Sequence, residues 1–451
     1  MNAFTSCNPA TAEVVFTRPG WSQAQLDDSI QRLKSAQTHW AALSVSQRAE
    51  RMLQLAVQLE THREQLAALV TLEVGKRTAE CLAEIDKSAQ LIRYYAELAP
   101  ALLAPQSIAT QASQSGVAFE PLGCVLAVMP WNFPIWQLLR FAVPALMAGN
   151  TCLVKPAPSV PQCTQLLLEL VHAAGLDCLD IAWIDHELVE EAIRRSDAVA
   201  FTGSTHTGRL IASLAGKHLK KTVLELGGSN PFIVLADADV EAAAQDAVNS
   251  RFRDAGQSCN AAKRMIVVPE IAEQFVAAFV AAASALRPGD PRDPATTLSP
   301  LTRADLREAL HAQVLDACHQ GARLLLGGQL PAAPGFFYPA TVLDHVHAGC
   351  RVYHEEVFGP VASILRARDE ADAIRLANDT PFGLGASIYT ADTTHGWELA
   401  RQLEVGSVFL NRHTSSDLRL PFGGVKASGY GRELSEFGLY EFVNVKTYWQ
   451  K

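Results

Sequence analysis

Three side chains of this sequence stand where short apolar runs end or turns begin, and their types suit attack on a carbonyl group. Cys259 follows the turn-like tripeptide 256–258, and an exposed thiol there is a candidate nucleophile. Glu225 ends the apolar run TVLEL, where burial raises a carboxyl pKa and suits it to act as a general base. Asn132 lies between two prolines, and its amide can donate to an oxyanion together with the backbone N–H of Cys259.

A fourth candidate is the segment FTGSTHTG at 201–208, whose pattern predicts the end of a strand, a glycine turn and the start of a helix. The N-terminus of a helix binds anions, so Gly203 and Ser204 suit a pyrophosphate. The segment is not the G-x-G-x-x-G pattern, and a simple strand-to-helix turn has the same spacing.

Each candidate also has an ordinary structural interpretation. Most cysteines are small buried apolar residues, a strand-end glutamate often binds backbone N–H groups, and an asparagine beside proline usually forms a turn. A cysteine protease needs a positioned histidine, and the nearest ones before Cys259, His206 and His218, lie far from it in sequence. Whether these residues have a structural or a catalytic role therefore depends on which other motifs the chain contains.

The elements that must position these residues alternate along the chain. Short β-like runs and helical stretches alternate between 124 and 235, which predicts βαβ units and a parallel, doubly wound sheet with ligands at the strand ends. A helical region at 23–100 precedes them, two strands or a hairpin are expected at 116–129, and a second α/β alternation follows at 236–425. The aromatic-rich segment 427–451 is expected to be an exposed strand region that pairs with another subunit.

Length and composition bound the class of protein. At 451 residues and 48.7 kDa the chain is expected to form at least two domains. A net charge of −9 without a basic block disfavours nucleic acid and anionic membranes as partners. The N-terminal segment lacks the pattern of a signal peptide, and nine scattered cysteines without a C-x-x-C pair disfavour disulfides and structural zinc. We expect a cytoplasmic protein without a metal site.

Seven motifs, in order, resemble those of the aldehyde dehydrogenase superfamily over essentially the whole chain: PWNFP, KPAPSVP, FTGST, LELGG, GQSC, EEVFGPV and PFGGVKASGYGRE. The resemblance implies an α/β fold with a Rossmann-type cofactor domain, an α/β catalytic domain and a small β oligomerisation element. It assigns 1–105 and 123–226 to the first, 227–425 to the second, and 106–122 and 426–451 to the third. A homodimer or homotetramer is expected.

The resemblance also assigns roles to single residues. It makes Cys259 the nucleophile that forms a thiohemiacetal and then a thioester, Glu225 the base for hydrolysis and Asn132 the oxyanion donor. Lys155 and Glu356 are expected to contact the two riboses of the cofactor, Ser204 its pyrophosphate, and Phe358 its nicotinamide. The full set of expected cofactor residues is Trp131, Lys155, Ser159, Gly203, Ser204, Leu226, Glu356 and Phe358.

The cofactor is expected to be NADP or NAD. NAD-selective relatives carry a glutamate three residues after the lysine of KPA, and this chain has Pro158 there. No carboxylate at that position repels a 2′-phosphate, and Ser159 is able to donate to one.

The expected substrate carries a carboxylate. Arg140 lies eight positions after Asn132 and Arg253 six before Cys259, and arginines at these spacings bind the distal carboxylate in the succinate-semialdehyde branch. Either arginine alone also fits a surface ion pair. Ser416 is the expected third contact, with Asp417 turned away, because an aspartate facing the pocket would repel a carboxylate.

Succinate semialdehyde, or another short aliphatic or ω-carboxy aldehyde, is therefore the expected substrate. Two alternative functions stay open: an enzyme that transfers the acyl group to coenzyme A or phosphate, and a non-catalytic protein with the same fold.

Overall fold

A computed structural model of the protein describes residues 3–451, so residues 1 and 2 of the predicted range 1–105 lie outside the described residues. The helices are α1 Gln23–Ala42, α2 Val45–Thr61, α3 Arg63–Val74, α4 Thr78–Leu102, α5 Pro134–Met147, α6 Pro161–Ala173, α7 Val189–Arg195, α8 Thr205–Lys217, α9 Val240–Phe252, α10 Ala272–Ser284, α11 Ala304–His319, α12 Arg351–His354, α13 Glu370–Asn378, α14 Thr393–Ala400 and α15 Ser435–Tyr440. No helix within 3–451 is both long and apolar enough to cross a membrane.

The strands, in chain order, are β1 Ala3–Cys7, β2 Val14–Pro19, β3 Gln106–Ser107, β4 Gln114–Pro121, β5 Cys124–Val128, β6 Thr151–Lys155, β7 Leu179–Ile181, β8 Ala198–Thr202, β9 Lys221–Glu225, β10 Asn230–Val234, β11 Ala262–Val267, β12 Arg323–Leu326, β13 Thr341–Asp344, β14 Val361–Arg366, β15 Phe382–Gly383, β16 Gly385–Tyr389, β17 Ser407–Leu410, β18 Val425–Lys426, β19 Gly429–Tyr430 and β20 Val443–Gln450.

The first large sheet has the order β19-β9-β8-β5-β6-β7. Strands β9, β8, β5, β6 and β7 are parallel, and β19 joins β9 antiparallel. Strand β5 shows why its sequence is a continuous apolar run: Val125 and Ala127 pack into the core beneath one face, while Leu126 packs into the core on the other. Helices cover both faces, so successive side chains are all buried.

The second large sheet has the order β12-β13-β14-β11-β10-β16-β17 and is parallel except for β12. It contains the run PFIVL as β10, so the expectation that this run belongs to the first alternation is wrong. The chain crosses between the two sheets directly after β9, because Gly227 and Gly228 separate β9 from β10.

The third sheet is small and antiparallel, with the order β20-β4-β3. Of the two alternatives expected for 116–129, two strands form and the hairpin does not, because β4 lies in this sheet and β5 in the first one. The C-terminal strand β20 is exposed, as expected, but it pairs with β4 of the same chain over eight residues. The tail also contains helix α15, and the hairpin β1–β2 precedes the helical region; the sequence analysis expected neither.

Candidate active site

The carboxyl edge of the first sheet carries four of the predicted functional loops. Asn132 and Ser204 lie in the loops after β5 and β8, and Lys155 and Glu225 are the last residues of β6 and β9, where the next two loops begin. The strand order reverses between β5 and β8, since β5 continues to β6 on one side and β8 lies on the other. Ligands of open α/β sheets bind at such a reversal, so the first sheet builds a crevice between these loops.

The loop that contains Cys259, which we call the thiol loop, leads into strand β11 of the second sheet. It lies between α9 and β11 and begins with Asp254, Ala255 and Gly256, all with left-handed backbone (φ 52°, 52° and 71°). Such conformations are unfavourable for Asp and Ala and need support. Here the N–H of Asp254 donates to Glu80 Oε1 at 3.0 Å, which helps to hold the bend before Cys259.

Two asparagines hold the backbone around the thiol. Asn230 Nδ2 donates to the carbonyl oxygen of Cys259 at 2.8 Å, and Asn132 Nδ2 donates to that of Gln257 at 2.9 Å. An amide nitrogen has two hydrogens, so Asn132 keeps one beyond the bond to Gln257. A Cβ on Gly228 would lie 2.9 Å from the Cys259 carbonyl oxygen, which explains the need for glycine there.

Cys259 is partly buried and lines two cavities. Burial raises the pKa of its thiol to about 11, against the opposing effects of the cations Arg140 and Lys263. The thiol is therefore mostly protonated at neutral pH in the free protein, and a nearby base or a bound cation is needed to produce thiolate.

Glu225 is 2% exposed, and neither carboxyl oxygen has a hydrogen-bond partner within residues 3–451. Burial and the nearby Glu433 carboxylate raise the pKa of Glu225 well above its usual range, while Arg140 opposes them. Gly423 packs against this side chain, since a Cβ there would lie 2.6 Å from Glu225 Oε1. An unpaired, buried carboxyl group of this kind suits proton transfer.

A buried ion-pair network lies behind Asn132. Lys76 Nζ lies 2.8 Å from Glu84 Oε2, 3.3 Å from Asp254 Oδ1 and 3.5 Å from the centroid of the Phe133 ring. It also donates to the Asn132 carbonyl oxygen at 3.3 Å. One lysine thus ties the oxyanion loop to the bend before Cys259.

The first cavity, which we call the strand-end cleft, contains six of the predicted cofactor residues together with Cys259, Glu225 and Asn132. Those six are Trp131, Gly203, Ser204, Leu226, Glu356 and Phe358. The Trp131 and Phe358 rings meet edge to face at 5.8 Å, and Ser204 caps α8 through the N–H of Thr207 at 3.3 Å. A helix N-terminus beside an aromatic wall fits a phosphate-bearing aromatic cofactor.

Glu356 is engaged by protein groups in this cleft. Its Oε1 pairs with the buried Lys263 and accepts from the Gly228 N–H at 3.2 Å. Lys263 also donates to the Cys259 carbonyl oxygen at 3.3 Å. Lys263 was not among the predicted site residues.

Lys155 lies in a separate depression that we call the far cavity, lined by Phe4, Pro158, Asp185, His186 and Thr207 among others. Burial lowers the pKa of Lys155 to about 8, and Asp185 opposes the shift. Ser159 does not line this cavity, and its hydroxyl is buried without a hydrogen-bond partner in the described part of the chain. Phe4 and His186 were not among the predicted cofactor residues.

The second cavity at the thiol, which we call the inner cavity, brings together Arg140, Arg253, Ser416 and Cys259. Arg140 is 2% exposed and pairs with Glu433, while Arg253 is exposed at the cavity mouth. Asp417 does not line the inner cavity; its carboxylate pairs with Arg419 at 2.7 Å. Lys87 also lines the cavity and was missed by the sequence analysis.

Cys259 lies between two cavities whose charged groups differ. The thiol stands where the strand-end cleft meets the inner cavity, with a buried carboxyl group on the cleft side and cations on the cavity side. A compound bound in the inner cavity is thus presented to the thiol from one side and a compound in the cleft from the other.

Comparison with known proteins agrees with this geometry. Residues 1–448 match the model of the aldehyde dehydrogenase family. A succinate semialdehyde dehydrogenase (NAD(P)+) of Escherichia coli is 45% identical over 449 residues, covering 99% of this chain and 97% of that protein. A probable succinate-semialdehyde dehydrogenase (NADP+) of a Synechocystis species is 44% identical over 451 residues, covering 99% of each.

A solved structure of a related protein has a very similar fold. The crystal structure of succinic semialdehyde dehydrogenase from Streptococcus pyogenes in complex with NADP+ superposes with a TM-score of 0.96, is 35% identical and covers 99% of both chains. The chain therefore belongs to the aldehyde dehydrogenase family.

Proposed function

We propose that this protein oxidises succinate semialdehyde to succinate with NADP or NAD as the cofactor. The observation that carries the proposal is the place of Cys259, between the strand-end cleft and a cavity lined by Arg140 and Arg253. Guanidinium groups match a carboxylate, and succinate semialdehyde carries one at the end opposite its aldehyde. The curated relatives named above, which act on this aldehyde, support the same substrate.

The proposed reaction begins at the thiol. The Cys259 thiolate adds to the aldehyde carbon, and the oxygen becomes an oxyanion that takes the free amide hydrogen of Asn132 and the Cys259 N–H. The bound nicotinamide supplies the hydride acceptor. Loss of hydride leaves an acyl group on sulfur, and Glu225 takes a proton from water as the water attacks this thioester. The products are the free acid and the Cys259 thiolate, with the proton of water held on Glu225.

The cofactor roles are proposals of the same kind. Ser204 and Gly203 bind the pyrophosphate at the start of α8, and Trp131, Leu226 and Phe358 surround the nicotinamide. Lys155 binds the adenosine ribose, with Ser159 beside it, and Glu356 leaves Lys263 to accept from the nicotinamide ribose. The residue types support these roles, because ribose hydroxyls donate to a carboxylate and accept from an ammonium group.

The proposal extends to the organisation of the molecule. Residues 1–105 and 123–226 form the cofactor domain, 227–425 the catalytic domain, and 106–122 with 426–451 the oligomerisation element. Val445 and Trp449 are more than half exposed on β20, which supports burial of this strand in a homodimer or homotetramer. A mass of two or four times 48.7 kDa by light scattering is the expected result. A cytoplasmic location is part of the proposal.

The deciding experiment follows reduced nicotinamide by absorbance with purified protein, NADP or NAD, and succinate semialdehyde, and identifies the acid by chromatography. We expect succinate in a one-to-one ratio with reduced cofactor, without added coenzyme A or phosphate. A product that forms only with coenzyme A or phosphate would instead establish an acyl-transferring enzyme. Failure to reduce either cofactor with this or any short aldehyde would remove the proposed function.

A substitution at Gly227 tests the role of Glu356. A Cβ on Gly227 would collide with Glu356 Oε2, so Gly227→Ala is expected to displace that carboxylate. We expect the KM for NADP to rise roughly 10- to 100-fold, as for the loss of a hydrogen bond between a ribose hydroxyl and a charged group. The measurement is the cofactor dependence of the rate at saturating aldehyde.

The matched control is Gly216→Ala on α8, where a Cβ meets nothing within 4 Å. That variant is expected to keep the wild-type KM. An unchanged KM in Gly227→Ala would show that the Glu356 carboxylate is not held at this place for the cofactor.

A further inference from the structure

Lys87 lies on α4 at the boundary between the inner cavity and an adjoining open depression, the outer cleft, which contains Tyr94, Asp417 and Arg419. Its Nζ donates to the Ser416 carbonyl oxygen at 2.9 Å and also to the Ser416 hydroxyl. The ammonium group lies 4.4 Å from the centroid of the Trp136 ring. Lys87 and Ser416 line both depressions and therefore stand at the mouth of the inner cavity.

The cations of this region differ in their counter-charges. Arg140 pairs with Glu433, and Arg253 Nε lies 3.3 Å from Asp254 Oδ2. Asp417, an acidic residue of the outer cleft, is held by Arg419 through two hydrogen bonds of 2.9 and 2.7 Å. Lys87 forms no ion pair with any carboxylate between residues 3 and 451, so it is the cation of this cavity without a counter-charge.

An uncompensated, partly buried ammonium group is unfavourable in the free protein. Burial, together with repulsion by Arg140 and Arg253, lowers the pKa of Lys87 to about 8, while Asp417 opposes the shift. An anion at the mouth of the cavity relieves both effects, because it supplies the missing opposite charge. The free protein is thus built to gain from an anionic ligand at this point.

We propose that Lys87, together with Arg253 and Ser416, binds the distal carboxylate of the substrate at the mouth of the inner cavity and sets the preference for short ω-carboxy aldehydes. The inference rests on the proposed function. It assigns the orientation of the substrate, with the aldehyde at Cys259 and the carboxylate at the mouth.

A purely structural role for Lys87 makes a different prediction. The two bonds to Ser416 hold the loop that borders the cavity, and a lysine that only anchors this loop would affect every aldehyde alike. A lysine that binds the carboxylate affects only substrates that have one. Comparison of a charged with an uncharged aldehyde therefore separates the two roles.

The test measures kcat and KM for succinate semialdehyde and for the uncharged aldehyde butanal at saturating NADP, in Lys87→Met and Lys87→Arg. We expect the ratio of kcat/KM values, charged over uncharged, to fall roughly 10- to 100-fold in Lys87→Met, mainly through KM, as for a lost hydrogen bond to a charged group. Lys87→Arg keeps the charge and is expected to restore most of the ratio. Lys34→Met, at an exposed site on α1, is the matched control.

Two further readouts keep the result interpretable. Succinate is expected to inhibit butanal oxidation competitively, with a Ki that rises in Lys87→Met by a similar factor. In the wild type, the KM for succinate semialdehyde is expected to rise relative to that for butanal as pH passes from 7 to 9, because Lys87 is charged below a pKa of about 8 and neutral above it. Lys87→Met should flatten this difference.

Charged and titratable groups face Lys87 from all the packed elements. Those that line the two depressions are Glu80, Glu84, Asp86, Tyr94, Arg140, Arg253, Asp254, Cys259, His413, Asp417 and Arg419. All of them are retained in Lys87→Met, so the difference between variant and wild type isolates the lysine.

Two results would overturn the inference. Equal losses of kcat/KM with both aldehydes in Lys87→Met would assign Lys87 to loop anchoring, and wild-type kcat/KM values with both aldehydes would leave it no role in recognition. Wild-type protein that oxidises butanal but not succinate semialdehyde would instead overturn the proposed substrate, whatever Lys87 does.

Discussion

Glu225→Gln is expected to give one normal turnover and then nearly stop. The variant keeps the shape of the side chain but has no basic oxygen, so thioester formation proceeds while its hydrolysis loses the proton acceptor. A general base contributes roughly 100- to 10,000-fold, and we expect the steady-state rate to fall within that range. Stopped-flow absorbance should therefore show a burst of reduced cofactor close to one per active site, followed by a slow phase.

The acyl-enzyme gives the control for this result. Intact-protein mass spectrometry should find the succinyl adduct on Glu225→Gln after the burst, and added hydroxylamine should release it. The raised pKa of Glu225 also predicts that hydrolysis by the wild type speeds up with pH, because only the deprotonated carboxylate accepts a proton. Free acid produced at the wild-type rate by Glu225→Gln would show that another group activates water.

Cys259→Ala is expected to have the largest effect on activity. Among the described residues, no other cysteine lines the strand-end cleft or the inner cavity, so no second thiol can replace this nucleophile. Loss of a catalytic nucleophile lowers kcat about 10,000-fold or more. We expect no burst of reduced cofactor, while NADP still quenches tryptophan fluorescence as in the wild type.

The titration of this thiol offers a second measurement. Because burial raises the pKa of Cys259 to about 11, inactivation of the free enzyme by iodoacetamide should accelerate steadily from pH 7 to pH 10. Label incorporation by Cys259→Ala provides the background from the other thiols. Inactivation that is already maximal at pH 7 would show that the free enzyme holds a thiolate.

The loops of the site were predictable because strand ends leave a strong pattern. Each of Asn132, Lys155, Ser204 and Glu225 follows a short apolar run, and parallel strands bring such ends to one edge. The order of the motifs indicated the family, and the alternation of apolar runs with helical stretches predicted the doubly wound sheet. The glycines of LELGG were also informative, since Gly228 makes room for the backbone of Cys259.

Lys87 and Lys263 could not be predicted in the same way. A lysine on a helix is normally solvated, and periodicity does not show that α4 turns Lys87 toward a cavity. Lys263 lies on a buried strand, where its pairing with Glu356 depends on a residue 93 positions away. Side chains of this kind are placed by tertiary packing and carry no local signal.

Pairing of strands was the weaker part of the fold prediction. The run PFIVL has the same apolar character as its predecessors, and composition does not reveal that β10 enters another sheet. Strand β4 ends and β5 begins within three residues, so a hairpin was a natural expectation; the sheets separate because β4 pairs with the C-terminal strand instead. Contacts between distant segments decide both cases.

The surroundings of Glu225 join the middle of the chain to its end. Gly429 of β19 pairs with Glu225, Gly423 packs against its carboxyl group, and Glu433 pairs with Arg140 beside it. During synthesis the thiol loop and the first sheet leave the ribosome before these residues do. A nascent chain that does not yet contain residues 423–433 therefore lacks the walls of the proton-transfer site, and hydrolytic turnover has to wait for their synthesis.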